Sequence, residues 1–195
     1  MLAAILLVWV SMAQAQECEK ERAISSYTIQ KGSSFWATSV EYFDGEDPRD
    51  EITVQNLNFE RGYYLLKPLS LIRGIHLLST GGHKKDREDR EPKRMDVDLI
   101  GLGLAGTVRL DLVRIKGLQL FIDTGIGFLL CSDQFPPGGT FWNFTQRYVV
   151  GVSVRFLTNA NLLLGVNRLH ISNAGYKRNP SYDGNGAFLG VMYGF

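Results

Sequence analysis

Residue types that can cooperate in ester hydrolysis lie close together near the C-terminus of the chain. His170 and Ser172 are two positions apart, and strand side chains alternate, so both would lie on one face of a strand. Asp183 and Asn185 follow on what the pattern predicts to be the return strand. Histidine, serine and a carboxylate or amide are the components of a serine hydrolase site. The sequence therefore predicts such a site across a single hairpin.

Alternating apolar residues predict the strands that would position this hairpin. In residues 142–156 the even positions are almost all apolar or aromatic, whereas the odd positions include Arg147 and Arg155. Aromatic residues near both ends of the apolar face are typical of strands that cross a membrane between two interfaces. Residues 118–130 and 97–110 repeat the alternation. The pattern predicts strands with one face toward lipid.

Asp123 interrupts one of these strands with a charge. A carboxylate facing lipid at mid-strand would be costly, so we expect Asp123 to face the interior. Arg147, Arg155 and Arg109 have the same predicted orientation. Any of the three is a plausible partner.

The full pattern predicts an all-β fold, an eight-stranded antiparallel outer-membrane β-barrel. Long connections alternate with short ones, and the long loops of such barrels face the cell exterior. The interior of so small a barrel is filled by side chains, which leaves the wall and the loops for function. The strands are predicted near 34–43, 51–66, 69–79, 97–110, 118–130, 142–156, 160–173 and 184–195; the long connections are 44–50, 80–96, 131–141 and 174–183, the short ones 67–68, 111–116 and 157–159, and the first three strands have mixed faces.

The N-terminus has the features of an export signal. Residues 1–15 hold a short apolar run and end in Ala13-Gln14-Ala15, which predicts a cleaved signal peptide, although no Lys or Arg precedes the run. The alternative is an N-terminal membrane anchor. We therefore expect a signal peptide at 1–15, a periplasmic segment at 16–33 and the barrel domain at 34–195. The net charge of +1 does not favour nucleic acid as a partner.

The remaining reactive side chains lack a chemical pattern. Cys18 and Cys131 would lie at opposite ends of the barrel, too far apart for a disulfide, although an oxidising compartment would permit one. His76 and His83 lack the spacing of metal ligands, so no metal or cofactor is expected. The charged run at 83–94 is either a solvated loop or a contact for lipid headgroup phosphates.

The predicted faces bring the candidate site onto the outside wall. His170 and Ser172 have the parity of the lipid face of their strand, and Asp183 and Asn185 have that of the next. Antiparallel pairing places the end of one strand beside the start of the other. Polar groups at membrane depth have a desolvation cost, and a substrate in the outer leaflet would give them a purpose.

The C-terminal motif resembles the lipid A 3-O-deacylase (PagL) family, also called acyloxyacyl hydrolases. The resemblance is sharp over His170-Ile171-Ser172-Asn173-Ala174-Gly175, through Asn179-Pro180, to Asp183-Gly184 and the terminal strand, and looser over 97–168. It implies a bacterial outer-membrane barrel that hydrolyses the ester holding the 3-position acyl chain of lipid A, the anchor of lipopolysaccharide. It also implies a Ser-His-acid triad without a metal.

The same resemblance implies the roles of individual residues. Ser172 matches the nucleophile and His170 the general base. Asn185 falls where well-known members carry Glu, but Asp183 is the nearby carboxylate and is the preferred third member. The oxyanion hole is expected from Asn173, Asn179 and the backbone N–H groups of 173–175, which include Ala174 and Gly175.

Two other functions remain open. One is a non-catalytic small barrel for adhesion or membrane stability, acting through the loops at 80–96 and 131–141. The other is an esterase or phospholipase on different outer-leaflet lipids. The sequence leaves the oligomeric state undetermined.

Overall fold

The computed structural model describes residues 31–47, 51–85, 94–115, 117–176 and 180–194. The predicted signal peptide and residues 16–30 of the predicted periplasmic segment lie outside these ranges. The described chain is built from β-strands. This part of the chain contains no helix that is long and apolar enough to cross a membrane. The strands are β1 (Ser34–Gly45), β2 (Glu51–Leu66), β3 (Leu69–Lys85), β4 (Arg94–Asp96), β5 (Leu99–Ile115), β6 (Leu118–Phe135), β7 (Thr140–Arg155), β8 (Ala160–Ser172) and β9 (Tyr182–Gly194).

The strands form a closed antiparallel ring. Each long strand pairs with its neighbours in sequence, β2 pairs with β3, and β1 pairs with β9 from Phe35↔Gly194 to Gly45↔Gly184. The short β4 and the long β5 both pair with β3, one after the other along its length. They occupy one position in the ring, which therefore has eight strand positions. The predicted eight-stranded antiparallel barrel is confirmed. Closure removes the exposed edges that an open sheet would present.

The alternation of side chains is that of a membrane barrel. Along β7 and β8 the odd-numbered residues are mostly buried and the even-numbered ones face outward. Ile126, Val166 and Leu104 are each more than three-fifths exposed on the outer wall. An apolar exterior of this kind suits a lipid environment rather than water.

The interior has a polar layer between two apolar clusters. One cluster, which includes Phe43, Leu169 and Ile171, fills the end of the barrel that carries His170. The other, which includes Phe35 and Phe188, fills the opposite end. Ion pairs occupy the space between them. The interior is packed rather than hollow, as expected for eight strands.

Buried charges within this layer are paired. Asp123 accepts two hydrogen bonds of 2.8 Å from Arg109, and both side chains are almost completely buried. Arg147 lies 2.9 Å from Glu41 and 3.0 Å from Glu60. The predicted inward orientation of Asp123 is confirmed, and Arg109 is its partner among the three candidates.

The mixed faces of the first three strands reflect the same layer. Glu41, Asn56, Glu60 and His76 point inward from β1 to β3 and are buried. Space for the His76 ring is provided by Gly103, because a Cβ at that position would lie 2.0 Å from His76 Nε2. Polar residues on the inner face therefore obscure the apolar alternation in the sequence.

Two of the predicted long loops contain strand residues. β3 continues to Lys85, and β6 and β7 extend to Phe135 and from Thr140, so that only a four-residue turn separates them. Cys131, expected in a loop, lies within β6. Ladder hydrogen bonds continue beyond the apolar band, where polar side chains are tolerated on both faces. Hydrophobic alternation alone therefore underestimates the strand lengths.

Candidate active site

The pairing of β8 with β9 brings two candidate residues face to face. His170 and Asp183 are direct Cα partners in this ladder, and both side chains point to the outer wall. Directly opposite residues in an antiparallel pair have Cβ atoms about 4.5–5.5 Å apart. The register thus places an imidazole and a carboxylate within reach of each other.

The two side chains are in contact. His170 Nδ1 lies 3.0 Å from Asp183 Oδ1, and the two side chains are 29% and 32% exposed. An ionised carboxylate can only accept, so the Nδ1–H donates and the proton-accepting nitrogen of the neutral ring is Nε2. Asp183 Oδ2 accepts a longer hydrogen bond, 3.4 Å, from the Ser181 hydroxyl. The carboxylate is thereby held from both oxygens.

Ser172 is the next outward-facing residue after His170. It ends β8, is partly exposed and has Phe144 of β7 as its Cα partner. Two positions along a strand span about 6.6 Å, so the two side chains are neighbours on the outer wall. Nucleophile and base candidates therefore share one face at one end of the barrel.

A tight turn follows Ser172. The Tyr176 N–H donates to the Asn173 carbonyl at 3.2 Å, and the two central residues, Ala174 and Gly175, have φ values of 55° and 83°. Positive φ at both central positions is the signature of a type I′ turn. A Cβ built on Gly175 would meet no described residue within 4 Å, so this part of the structure leaves space beside the turn.

The other oxyanion candidates have different surroundings. Asn173 is 1% exposed, which places its side chain within the barrel end rather than on the wall. Asn179 lies outside the described residues. Among the candidates, the backbone of Ala174 and Gly175 is the part that flanks Ser172 on the exposed side.

Asn185 has a partner other than the histidine. Its Cα partner in β8 is Arg168, one outward-facing position before His170, and its amide donates to Glu46 Oε1 at 2.9 Å. Glu46 Oε2 accepts from Arg168 Nη2 at 2.9 Å, and the same nitrogen lies 3.5 Å from Asp183 Oδ1. Sequence analysis did not identify Glu46 or Arg168, because Glu46 is distant in sequence and its contact depends on barrel closure.

Aromatic side chains cover the wall beside Ser172. Trp142 contacts both Phe144 and Tyr176, with ring centroids 6.0 Å and 5.7 Å apart, and Phe128 lies 5.9 Å from Phe144. Phe144 and Tyr176 are about half exposed. This surface is apolar and continuous with the lipid-facing wall.

The described part of the chain contains no group of three or more His, Cys, Asp or Glu side chains arranged to hold a metal ion.

Known structures share this fold. The crystal structure of the outer membrane enzyme PagL is 17% identical, with a TM-score of 0.59 over 79% of this chain and 97% of that chain. Neisserial surface protein A is 12% identical with a TM-score of 0.58, over 84% of this chain and 97% of that one. OprG from Pseudomonas aeruginosa is 10% identical with a TM-score of 0.55, over 86% and 98%. At these identities the likeness concerns the fold.

The fold and its relatives define a small β-barrel of the bacterial outer membrane. Residues 63–193 match the sequence model of the family described as Lipid A 3-O-deacylase (PagL), and the chain belongs to that family. The matched range includes every candidate site residue except Glu46. No curated protein matches the chain by sequence.

Proposed function

We propose that this protein is an outer-membrane esterase that removes the 3-position acyl chain of lipid A. The observation that carries the proposal is the 3.0 Å contact between His170 and Asp183 on the lipid-facing wall, one outward position from Ser172. Membership of the lipid A 3-O-deacylase family supports the same chemistry. A lipid in the outer leaflet would meet these side chains without leaving the membrane.

Ser172 is the nucleophile in the proposed mechanism. Its Oγ attacks the ester carbonyl carbon while His170 Nε2 accepts the hydroxyl proton. Asp183 holds the ring in this tautomer through Nδ1–H and stabilises the imidazolium that forms. When the carbon–oxygen bond to the sugar breaks, the imidazolium returns the proton to the leaving sugar oxygen.

The second half of the reaction uses the same groups. Water attacks the acyl-enzyme carbonyl, His170 takes its proton, and Ser172 leaves with that proton as the 3-hydroxy fatty acid is released. The oxyanion of both tetrahedral intermediates is assigned to the N–H groups of Ala174 and Gly175, beside the open space of the turn. Donors already fixed in a turn need little reorganisation when charge develops.

The acyl chain is assigned to the aromatic surface formed by Phe128, Trp142, Phe144 and Tyr176. Phe144 is the Cα partner of Ser172, so this surface begins beside the nucleophile. Exposed aromatic rings at a membrane interface offer apolar area to a chain that remains partly in lipid.

Mass spectrometry of lipid A from cells producing the wild-type protein or the Ser172→Ala variant tests the proposal. We expect wild-type cells to lose one 3-hydroxyacyl group from the 3 position and variant cells to retain it. Loss of an acyl chain from another position or another lipid would identify a different esterase. Unchanged lipids with a folded wild-type barrel would contradict an esterase function.

A non-catalytic barrel is the second candidate. Neisserial surface protein A and OprG match the fold about as well as PagL does, and their names specify no reaction. The fold therefore does not separate an enzyme from a structural barrel. The wall chemistry around His170 favours the enzyme, because adhesion or membrane stability requires no imidazole–carboxylate pair at membrane depth.

A further inference from the structure

Glu46 connects the loop after β1 to the candidate catalytic strands. Its backbone N–H donates to the Asp183 carbonyl at 2.8 Å. Its carboxylate accepts from Arg168 Nη2 and from the Asn185 amide, each at 2.9 Å. One residue from outside the hairpin thus contacts three residues on β8 and β9.

His170 and Arg168 share one oxygen of Asp183. His170 Nδ1 lies 3.0 Å from Oδ1, whereas Arg168 Nη2 lies 3.5 Å from the same atom. Arg168 is closer to Glu46, at 2.9 Å. A guanidinium is always charged and donates to carboxylates in bidentate geometry. Without Glu46, the preferred partner of Arg168 would be Asp183.

Such a shift would weaken the catalytic pair. If Arg168 engaged Asp183 fully, it would compete with the Nδ1–H for Oδ1. It would also neutralise the carboxylate charge that stabilises the imidazolium. The position of Arg168 between two carboxylates therefore matters for the histidine, although the arginine does not contact the ring.

We propose that Glu46 is a positioning residue that draws Arg168 away from Asp183 and so reserves Asp183 for His170. Asn185 fixes the carboxylate of Glu46 through its amide. This proposal rests on the proposed esterase function. It assigns to Asn185 an indirect role, which reaches the imidazole through Glu46, Arg168 and Asp183.

The Glu46→Gln variant removes the charge and retains the shape. We expect kcat to fall roughly fivefold, the size of effect for an ion pair this exposed, with KM unchanged because no substrate contact is lost. Adding Arg168→Gln removes the competing cation, and the double variant should return to the kcat of Arg168→Gln alone, within about twofold of wild type. A purely structural role for Glu46 would not show this recovery.

Glu51→Gln is the matched control. Glu51 lies at the other end of the same connection, and its carboxylate contacts His83 at 3.1 Å instead of Arg168. We expect this variant to keep the wild-type kcat and KM. A comparable loss in the control would show that any charge change in the connection reduces activity, which would overturn the proposal.

The Nδ1 proton resonance of His170, measured by NMR in detergent micelles, gives a readout independent of turnover. Glu46→Gln should shift this resonance and the double variant should restore it. An unshifted resonance, an unchanged kcat in Glu46→Gln, or a double variant worse than either single variant would overturn the proposal. A large rise in KM with Arg168→Gln alone would instead identify a substrate contact and would also overturn it. If the wild-type protein releases no acyl chain, the esterase function fails, whereas the resonance still decides the positioning role.

Discussion

At the scale of single residues, the site depends on which polar group faces His170. Asp183 and Asn185 have the same parity on β9, so both point to the outer wall. The register alone separates them: Asp183 is the partner of His170, and Asn185 is the partner of Arg168. The register of the β8–β9 pairing therefore decides which side chain reaches the imidazole.

Ser172→Ala should leave a folded barrel without deacylase activity. The side chain ends a strand on the outer wall, so its removal costs little packing. His170→Ala should be as damaging, since an unactivated serine hydroxyl is a poor nucleophile near neutral pH. Heat-modifiable migration on gels checks folding, and lipid A mass spectrometry checks activity. Acyl release by Ser172→Ala would refute the assigned nucleophile.

Asp183→Ala should reduce activity more than Asn185→Ala. Loss of a carboxylate that orients and stabilises the imidazolium costs up to about 10⁴-fold in soluble triads, whereas loss of the Asn185 amide removes only the contact to Glu46. Turnover of purified variants on lipid A in micelles measures the difference. The reverse order would assign the third position to Asn185.

Most residues of the candidate site could be predicted from the sequence, whereas the contacts of Glu46 with Arg168 and Asn185 could not. Strand alternation predicts that His170 and Ser172 share one face, the family resemblance implies their roles, and Asp183 is the nearby carboxylate. Glu46 and Arg168 could not be identified, because their contact joins residues at opposite ends of the chain. Nothing in the local sequence of either residue indicates the other.

At the scale of elements, the strands bear apolar residues outside and a polar layer inside. Val152 faces outward on β7 between Leu120 and Leu164. Val152→Arg should lower the free energy of unfolding by about 2–4 kcal/mol if this rung lies near the bilayer midplane. Phe156→Arg, just beyond the end of β7, is the control, with an expected cost of about 0–1 kcal/mol near the interface.

Urea unfolding of both variants in lipid vesicles measures this difference. Equal costs at the two positions would mean that Val152 is not within the hydrocarbon region.

A second stability prediction concerns the buried Arg109–Asp123 ion pair in the barrel interior. Asp123→Ala leaves Arg109 buried with its charge uncompensated, and breaking a buried pair in this way costs about 3–5 kcal/mol. The double variant Arg109→Met with Asp123→Leu should recover much of the stability, since both charges are then absent. Denaturant midpoints compare the variants, and a single variant as stable as wild type would show that water reaches this layer.

The strand set was predictable where one face is apolar. Residues 97–110, 118–130 and 142–156 alternate clearly, and each range lies inside a strand or extends past one of its ends by no more than two residues. Strand ends were less predictable, because backbone pairing extends past the membrane into polar sequence, as β6 does as far as Phe135. The hydrogen bonds of a strand ladder join backbone groups, so strand ends outside the membrane need no alternation of apolar side chains in the sequence.

At the scale of the whole molecule, a filled barrel has its chemistry on the outside. The packed layers of the interior give a rigid wall, on which β8 and β9 hold His170 and Asp183 at fixed separation. Rigid elements position a site more accurately than loops do. Without the polar groups around His170 and Asp183 on its outer wall, the barrel would present the apolar surface that membrane barrels have in common.

Closure of the ring through β1 and β9 has a consequence for biogenesis. Asp183 is on the last strand, Glu46 follows the first, and their backbone contact forms where the two strands meet. A chain halfway through insertion, with its first and last strands still apart, holds Ser172 and His170 but lacks the support of Glu46. Under the proposed function, the full rate of hydrolysis is therefore reached only when the first and last strands have paired.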